Sequence, residues 1–490
     1  MLVYAQAVLR PRLTPLQILQ TYFGYSQFRP GQQKIINSIL SQQDTLAVLP
    51  TGGGKSICFQ VSGLLLKGTT LVISPLISLM QDQIQALQAN KISATLLNST
   101  LTSKQLTNRL KKLSQGHYHF AYLAPERLES PEFIQACCQT KINLIVVDEA
   151  HCVSIWGHDF RPSYQQISQF RHYLQAKHNQ PITLAGFTAT ATPEVRRDII
   201  QLLQLNQPQI FLNSFERTNL FLEVINSLSQ TDKLITLIKL LIRHKGQSGI
   251  IYTATRQGAE EVAQVLNQLN FHQLWGSQPI KYYHGGQTNT QRQETQKEFI
   301  SNQTPVIVAT NAFGMGIDKP DIRFVIHYQL PASLENYYQE VGRAGRDQNP
   351  ASCYLLFMLK DLEIQLDLIK SSICSTTRRK VKLKKLRKIE KLGRLTTCLT
   401  QEIINYFGEA KPQPCQRCSN CLQFESDRSL VRLIQEQQQL IGLEKYLQLP
   451  PKLNLKTLKL IELLKPRTSQ QLLQIPGIGR GWVKSYQAKG

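Results

Sequence analysis

The chain has 490 residues, enough for several folded cores, and 42% of them are apolar. Its 56 Lys and Arg against 33 Asp and Glu give a net charge of +23, which indicates a polyanionic partner such as nucleic acid; a basic proteome bias is the alternative. No apolar run approaches the roughly 18–20 residues of a membrane span and no basic residue precedes the first apolar run, so we expect neither a membrane protein nor a signal peptide.

Two long stretches alternate short apolar runs with helical patterns. In 14–212 the strand-like runs are DTLAVL, TTLVISP, FAYLAP, INLIVVDEA and ITLAGFTAT. In 213–358 they are SGIIYTAT, KYYHGG, PVIVATN, RFVIHY and SCYLLFML. Runs of this kind are typical of buried parallel strands that end at polar loops. We predict an α/β fold with two parallel-sheet domains in tandem over these ranges.

A different composition begins at 359. Residues 378–394 carry ten basic side chains and one acidic one. Apolar residues recur there near a helical period, at Leu383, Leu386, Ile389 and Leu392. The pattern predicts a basic amphipathic helix within a helical domain over 359–425, followed by a short helical tail over 426–490.

The stretch LPTGGGKS, 49–56, joins a predicted strand to a predicted helix, which is the context of a phosphate-binding loop. Leu49 stands where the common pattern has its first glycine, so a chance match is the alternative for this stretch alone. Glycine N–H groups and a helix N-terminus together favour phosphate. We predict that Lys55 contacts the β- and γ-phosphates and that Ser56 holds Mg²⁺. The nucleotide-binding residues assigned to this stretch are Thr51, Gly52, Gly53, Gly54, Lys55 and Ser56.

An apolar strand in LIVVDEAH, 144–151, delivers two carboxylates at its C-terminal end, where ligands bind in open α/β sheets. We predict that Asp148 binds Mg²⁺ and that Glu149 orients or deprotonates the attacking water. An acidic strand end without chemistry is the alternative. Together with the phosphate loop, this pair indicates hydrolysis of a nucleoside triphosphate.

Hydrolysis also needs positive charge at the γ-phosphate, often from an arginine across a domain boundary. The segment YYQEVGRAGRD, 337–347, offers Arg343 and Arg346, which would share one face if the segment were helical. We predict that both act in catalysis; a solvated basic helix end is the alternative.

Four of the ten cysteines cluster near the C-terminal end, with 16, 2 and 2 residues between them. They are Cys398, Cys415, Cys418 and Cys421. Four thiolates suit a structural Zn²⁺ site in a reducing cytoplasm, and an iron–sulfur cluster is the rival.

The ordered set FGYSQFRPGQ, SPLISLMQDQ, YLAPERL, FTATAT, NAFGMGIDKPDIRFVIHYQLP and YYQEVGRAGRD resembles the RecQ family of superfamily 2 DNA helicases. The resemblance runs from about 20 to 424 and includes the zinc-binding cysteines. It implies two tandem RecA-like domains, use of ATP and Mg²⁺, and bound Zn²⁺.

The resemblance also assigns residues of the nucleotide site. It implies that Gln32 bonds the edge of adenine while Tyr25 and Arg29 pack on its face, and it adds Gly316 and Asp318 to the site. It further implies that SPLISLMQDQ and YLAPERL grip the nucleic-acid backbone and that FTATAT couples hydrolysis to domain movement.

The segment HCVSIWGHDFRPSY, 151–164, places aromatic and basic side chains just after the acidic pair. The candidate nucleic-acid contacts are Trp156, His158, Phe160 and Arg161. Core aromatics after a strand are the alternative. The resemblance identifies an aromatic-rich loop that senses single-stranded DNA, although Ile155 and Ser163 replace a usual glutamine and glutamate.

Only 69 residues follow Cys421, which we judge too few for the winged-helix and helical domains that the family commonly adds. LLQIPGIGRGWVKSY, 472–486, resembles the end of the helical accessory domain or a helix-hairpin-helix. Gly477 and Gly479 would offer N–H groups to a DNA phosphate; a helix-capping turn is the alternative.

These features predict an ATP-dependent 3′→5′ DNA helicase that acts in recombination and repair, with ATP bound in a cleft between the two α/β domains. The polarity is implied by the resemblance. Its expected partners are single-stranded and forked duplex DNA, single-strand-binding protein and other repair proteins, and no membrane. The alternatives are an RNA helicase of the same superfamily and a DNA-binding or annealing protein with weak unwinding.

Overall fold

A computed structural model describes residues 13–422 except 51, 99–100, 277 and 315–318. The chain divides into two compact units, 1–215 and 216–490. The predicted tail, 426–490, with Gly477 and Gly479, lies outside the described residues.

The first unit is built on a seven-stranded sheet. Its strands are β1 (Thr45–Val48), β2 (Thr69–Ile73), β3 (Ala94–Leu97), β4 (Phe120–Leu123), β5 (Ile142–Val147), β6 (Thr183–Thr188) and β7 (Gln209–Leu212). They pair in parallel in the order β3-β4-β2-β5-β6-β1-β7. Since parallel strands end at the same edge, the loops after β1, β6, β5 and β2 are neighbours.

Helices join these strands. They are α1 (Pro15–Phe23), α2 (Gln32–Leu40), α3 (Lys55–Leu65), α4 (Ile77–Ala89), α5 (Ser103–Ser114), α6 (Pro131–Gln139), α7 (Ile167–His178) and α8 (Pro193–Leu202). Short 3₁₀ helices span Pro125–Glu129, Ala150–Val153 and Pro162–Gln166. Central strands β1, β2 and β6 are fully buried, as their apolar runs require.

The second unit has a six-stranded parallel sheet. Its strands are β8 (Leu220–Asn226), β9 (Ser248–Tyr252), β10 (Lys281–Tyr283), β11 (Val306–Ala309), β12 (Ile322–His327) and β13 (Ala351–Phe357), in the order β10-β11-β9-β12-β13-β8. Its helices are α9 (Gln230–Arg243), α10 (Arg256–Gln268), α11 (Asn289–Ile300), α12 (Leu334–Val341), α13 (Asp361–Ser371), α14 (Thr376–Gly393) and α15 (Leu399–Tyr406), with a 3₁₀ helix at Phe271–Leu274.

The predicted α/β class with two parallel sheets and a helical region is confirmed, and each of the ten strand-like runs contains a strand. The sequence reading missed β3, β7 and β8, which all lie at sheet edges. Strand β7 is largely exposed and β8 is only partly buried, so neither has the continuous apolar run of a central strand.

The predicted basic helix is α14, and its apolar residues Leu386, Ile389 and Leu392 are buried, while Leu383 is partly buried. Within the described part of the chain, no helix combines the length and apolar character needed to cross a membrane.

A buried ion pair fixes the helical region to the second sheet. The Lys233 Nζ on α9 lies 2.5 Å from the Asp361 Oδ2 on α13, and both side chains are fully buried. Burial lowers the pKa of Lys233 and raises that of Asp361, and the attraction between the two charges opposes both shifts.

We expect Lys233→Met to destabilise the second unit by about 3–5 kcal/mol, because Asp361 then stays buried without its cation. The double variant Lys233→Met with Asp361→Leu removes both charges and should recover most of the loss. Lys239→Met, at an exposed position of the same helix, should change stability by less than about 0.5 kcal/mol. Calorimetric unfolding compares the variants; equal midpoints for the two single variants would contradict the prediction.

Candidate nucleotide and metal sites

The phosphate loop connects β1 to α3. Gly54 adopts φ +75° immediately before α3, and a Cβ there would lie 2.3 Å from the Gln32 Nε2, so both conformation and space favour glycine. Leu49 is fully buried, and its N–H donates to the Thr188 carbonyl at 3.0 Å. The residue that departs from the common pattern therefore anchors the loop in the hydrophobic core.

Two side chains from the segment before and at the start of α2 hold the loop carbonyls. Arg29 donates from Nη1 to the Gly52 carbonyl. The Gln32 Nε2 donates to the Gly54 carbonyl at 3.1 Å, and its Oε1 accepts from the Arg29 N–H at 2.8 Å. Tyr25 leaves 54% of its surface exposed. The structure thus brings Arg29 and Gln32 to the phosphate loop; their contacts with adenine stay a prediction.

The acidic pair follows β5, one strand from β6 and two from β1. The Lys55 Nζ lies 3.5 Å from the Glu149 Oε1, and both side chains are less than one fifth exposed. Asp148 accepts hydrogen bonds from the Ser74 hydroxyl at 3.3 Å and from the Glu149 N–H at 3.0 Å. Ser74 is the first residue after β2 and belongs to SPLISLMQDQ, for which the resemblance implied a nucleic-acid contact and not a bond to Asp148.

The two carboxylates differ in their affinity for a proton. Burial and the charge of Glu149 raise the pKa of Asp148 to about 6. Burial would also raise the pKa of Glu149, but the charge of Lys55 and the hydrogen bond with His151 bring it well below its usual range. Two buried carboxylates beside a single lysine form a site that a divalent cation would stabilise, so the donor set fits Mg²⁺.

His151 connects Glu149 to the end of β6. Its Nδ1 lies 3.2 Å from the Glu149 Oε2 and 2.9 Å from the Thr188 Oγ1. On the other side the His151 ring stacks on the ring of His158, with centroids 4.0 Å apart. Contacts therefore run from the Glu149 carboxylate through His151 to His158 of the aromatic-rich loop, and His151 also contacts Thr188 of FTATAT.

The predicted nucleic-acid contacts Trp156, His158, Phe160 and Arg161 are all partly exposed. The loop that carries them is held at its base. Tyr164 is buried and donates from its hydroxyl to the Asp148 carbonyl at 3.0 Å. The Ser163 hydroxyl donates to the Glu126 Oε1 at 3.0 Å, which ties the loop to YLAPERL.

In the second unit, the arginine pair does not lie on a helix. Helix α12 ends at Val341, and Arg343 and Arg346 occupy the turns that follow, so the condition for a shared helical face is not met. Gly345 adopts φ +57°, a conformation that ends regular helix. Residues 342–346 are called the arginine turn below.

Glycine also makes room for Arg343. This arginine is buried and donates from Nη1 to the Gly314 carbonyl. Gly314 has φ +138°, and a Cβ there would lie 2.3 Å from the Arg343 guanidinium. The arginine therefore packs directly against a backbone that only glycine provides.

Two residues missed by the sequence reading hold the arginine turn. Arg217 donates to the carbonyls of Gly342, Ala344 and Gly345 at 3.0–3.3 Å. Asn219 adds a bond from Nδ2 to the Gly345 carbonyl at 2.8 Å. These contacts join residues about 125 positions apart, so no local spacing marks them.

The four predicted cysteines converge, with all their sulfurs within 4.8 Å of one another. Cys398 precedes α15 and its sulfur accepts from the Gln401 and Cys415 N–H groups at 3.3 and 3.2 Å. Burial would raise the pKa of Cys415, but the Thr400 hydroxyl and two backbone N–H groups lower it to about 6. A closed set of four thiols with N–H donors to sulfur fits Zn²⁺.

Salt bridges link residues 411–421, called the zinc loop below, to Glu216, the residue before Arg217. The Lys411 Nζ lies 2.5 Å from the Glu216 Oε2, and the Arg417 Nη2 pairs with the Glu216 Oε1. Arg417 stands between two of the clustered cysteines. The three predicted nucleotide residues Thr51, Gly316 and Asp318 lie outside the described residues, and their assignment stays a prediction.

Three family models match the chain in order. A DEAD/DEAH box helicase model matches 29–199, a helicase conserved C-terminal domain model matches 232–348, and a RecQ zinc-binding model matches 359–422. The three matches cover the two sheets and the cysteine cluster.

Similar proteins include the ATP-dependent DNA helicase RecQ of Bacillus subtilis, 42% identical over 85% of this chain and 68% of that protein. The ATP-dependent DNA helicase RecQ of Pasteurella multocida is 38% identical over 84% of this chain and 62% of that protein. The chain thus spans about two thirds of the length of these relatives. The solved structure of Mycobacterium smegmatis helicase Lhr bound to ssDNA and AMP-PNP has a TM-score of 0.57 at 19% identity, covering 73% of this chain and 49% of Lhr, which shows the fold alone.

The ordered family matches and the extent of the identity confirm the resemblance drawn from the sequence. This chain belongs to the RecQ family of superfamily 2 helicases.

Proposed function

We propose that this protein is an ATP- and Mg²⁺-dependent DNA helicase that translocates 3′→5′ on single-stranded DNA and unwinds duplexes in recombination and repair. The observation that carries the proposal is the Lys55–Glu149 pair beside Asp148, connected through His151 to the aromatic-rich loop. DNA as the substrate is supported by the names of the relatives, and the polarity rests on the family resemblance.

The proposed hydrolysis starts from Lys55 paired with Glu149. ATP phosphates compete with Glu149 for Lys55, so their arrival frees the carboxylate to orient or deprotonate the attacking water. Ser56 and Asp148 would hold Mg²⁺, which would supply positive charge to the phosphates when bound. Arg343 and Arg346 are proposed to stabilise the negative charge that develops on the γ-phosphate.

Nucleic acid is proposed to act on this chemistry through the aromatic-rich loop. Bases stack on Trp156 and Phe160 while Arg161 meets phosphate. A shift of His158 on stacking alters the position of His151, and with it the Glu149 carboxylate. Single-stranded DNA would therefore stimulate hydrolysis without contacting ATP.

The zinc site is proposed to be structural. The four cysteines would supply all four ligands of a Zn²⁺ ion, which favours a structural role over a catalytic one. Zinc would fix the loop that carries Arg417, and hence Glu216, in place.

Lys55→Ala tests the proposed activity. We expect ATPase stimulated by single-stranded DNA and strand release from a forked duplex in the wild type, and a drop in kcat on the order of 10²–10³ in the variant, because a charge at the phosphates is lost. Lys67→Ala, an exposed lysine just after α3, is the matched control. Stronger stimulation by RNA would favour an RNA helicase, and ATP hydrolysis without strand release would favour a binding or annealing protein.

Arg217 is proposed as a positioning residue for the arginine turn. Arg217→Met removes three hydrogen bonds to the turn, so we expect kcat for ATP to fall about 10²-fold while KM for ATP changes less than about threefold. Arg243→Met, an exposed arginine of α9, should keep the wild-type kcat. A variant that loses zinc or melts early, with KM and kcat changed together, would show a merely structural role.

Cys415→Ser tests the metal assignment. One Zn²⁺ per chain is expected in the purified wild type, and the variant should lose zinc because a neutral hydroxyl is a poor substitute for a thiolate. Cys374→Ser, which removes a partly buried thiol outside the cluster, should retain the metal. Elemental analysis measures the content; iron with inorganic sulfide in place of zinc would establish the rival cluster.

A further inference from the structure

One face of α14 carries a straight row of cations that the proposed ATPase cycle does not use. Their spacing of four, three, four and three residues places them within a sector of about 80° at 3.6 residues per turn, over about 21 Å. The row, called the basic stripe, consists of Lys380, Lys384, Arg387, Lys391 and Arg394, all exposed.

The opposite face of α14 holds the helix in place. Val381 and Ile389 are buried, and the Lys385 ammonium pairs with Glu335 at the start of α12. Because this face is anchored by packing and a buried charge pair, the helix backbone that carries the stripe is held in a fixed line.

Two cations of the stripe pair with acidic side chains and stay exposed. Glu390 is the one acidic residue in the sequence of α14 against nine basic ones. Lys391 pairs with Glu402 and Arg394 pairs with Glu390, yet both cations remain more than half exposed. Surface pairs of this kind are weak and are readily exchanged for phosphate.

We propose that the basic stripe binds the phosphate backbone of duplex DNA. A rigid, linear row of cations matches a rigid polyanion that carries one charge per about 1.7 Å of axis. The sequence of α14 has no aromatic residue, whereas single-strand platforms combine positive charge with stacking rings. Its apolar face is buried in the protein, so it cannot insert into a membrane surface as an amphipathic helix does.

This proposal rests on the proposed function and adds a duplex contact outside both parallel sheets. The test compares the triple variant Lys380→Gln/Lys384→Gln/Arg387→Gln with a control of equal charge change, Lys67→Gln/Lys239→Gln/Lys245→Gln, at exposed sites in both units. Binding of a blunt duplex, of a single strand and of phosphatidylserine vesicles is measured on the full chain, together with DNA-stimulated ATPase.

We expect the stripe variant to bind duplex on the order of 10-fold more weakly, with a salt-dependence slope shallower by about 3, while single-strand affinity and stimulated ATPase match the control. Equal losses for duplex and single strand, or wild-type duplex binding, would overturn the inference. A loss confined to vesicles would assign the stripe to a membrane surface instead. Absence of DNA-stimulated ATPase in the wild type would instead refute the proposed function.

Discussion

The ion pair between Lys55 and Glu149 joins the phosphate loop to the acidic pair, the two halves of the candidate nucleotide site. It connects the loop after β1 to the strand end of β5, which the sheet order brings within two strands of each other. Both groups are largely buried, so removal of either leaves a costly unpaired charge. Under the proposed function, the phosphates of ATP would replace Glu149 as the partner of Lys55, so that nucleotide binding and release of the carboxylate would be one event.

In the second unit, the short segment 216–219 contacts both the arginine turn and the zinc loop. Arg217 and Asn219 hold the arginine turn by its carbonyls, while Glu216 pairs with the zinc loop through Lys411 and Arg417. The residue that pairs with the zinc loop, Glu216, and the residue that holds the arginine turn, Arg217, are neighbours in the chain. The zinc loop therefore supports the arginine turn through this segment. Under the proposed function, a metal held by these cysteines would support the arginine turn without contacting the substrate.

The site was predictable where its chemistry is local in sequence. GGGKS and DEAH each place the candidate residues side by side at a strand end. The parallel sheet then brings these two strand ends to the same edge. Sequence spacing could not identify Arg217 or Gly314, because their contacts with the arginine turn depend on tertiary packing. The arginine pair is not helical for a related reason: α12 ends at Val341, and the turn that follows is held by Arg217 and by the bond from Asn219 to Gly345, which has a left-handed conformation.

Helix α14 combines support and charge on opposite faces. Its buried face packs on α12 through the Lys385–Glu335 pair, and α12 leads directly into the arginine turn. The basic stripe lies on the opposite face of α14 from this contact with α12. Because the exposed cations take no part in that packing, the charge of the stripe can change while the support remains, which separates DNA affinity from catalytic geometry.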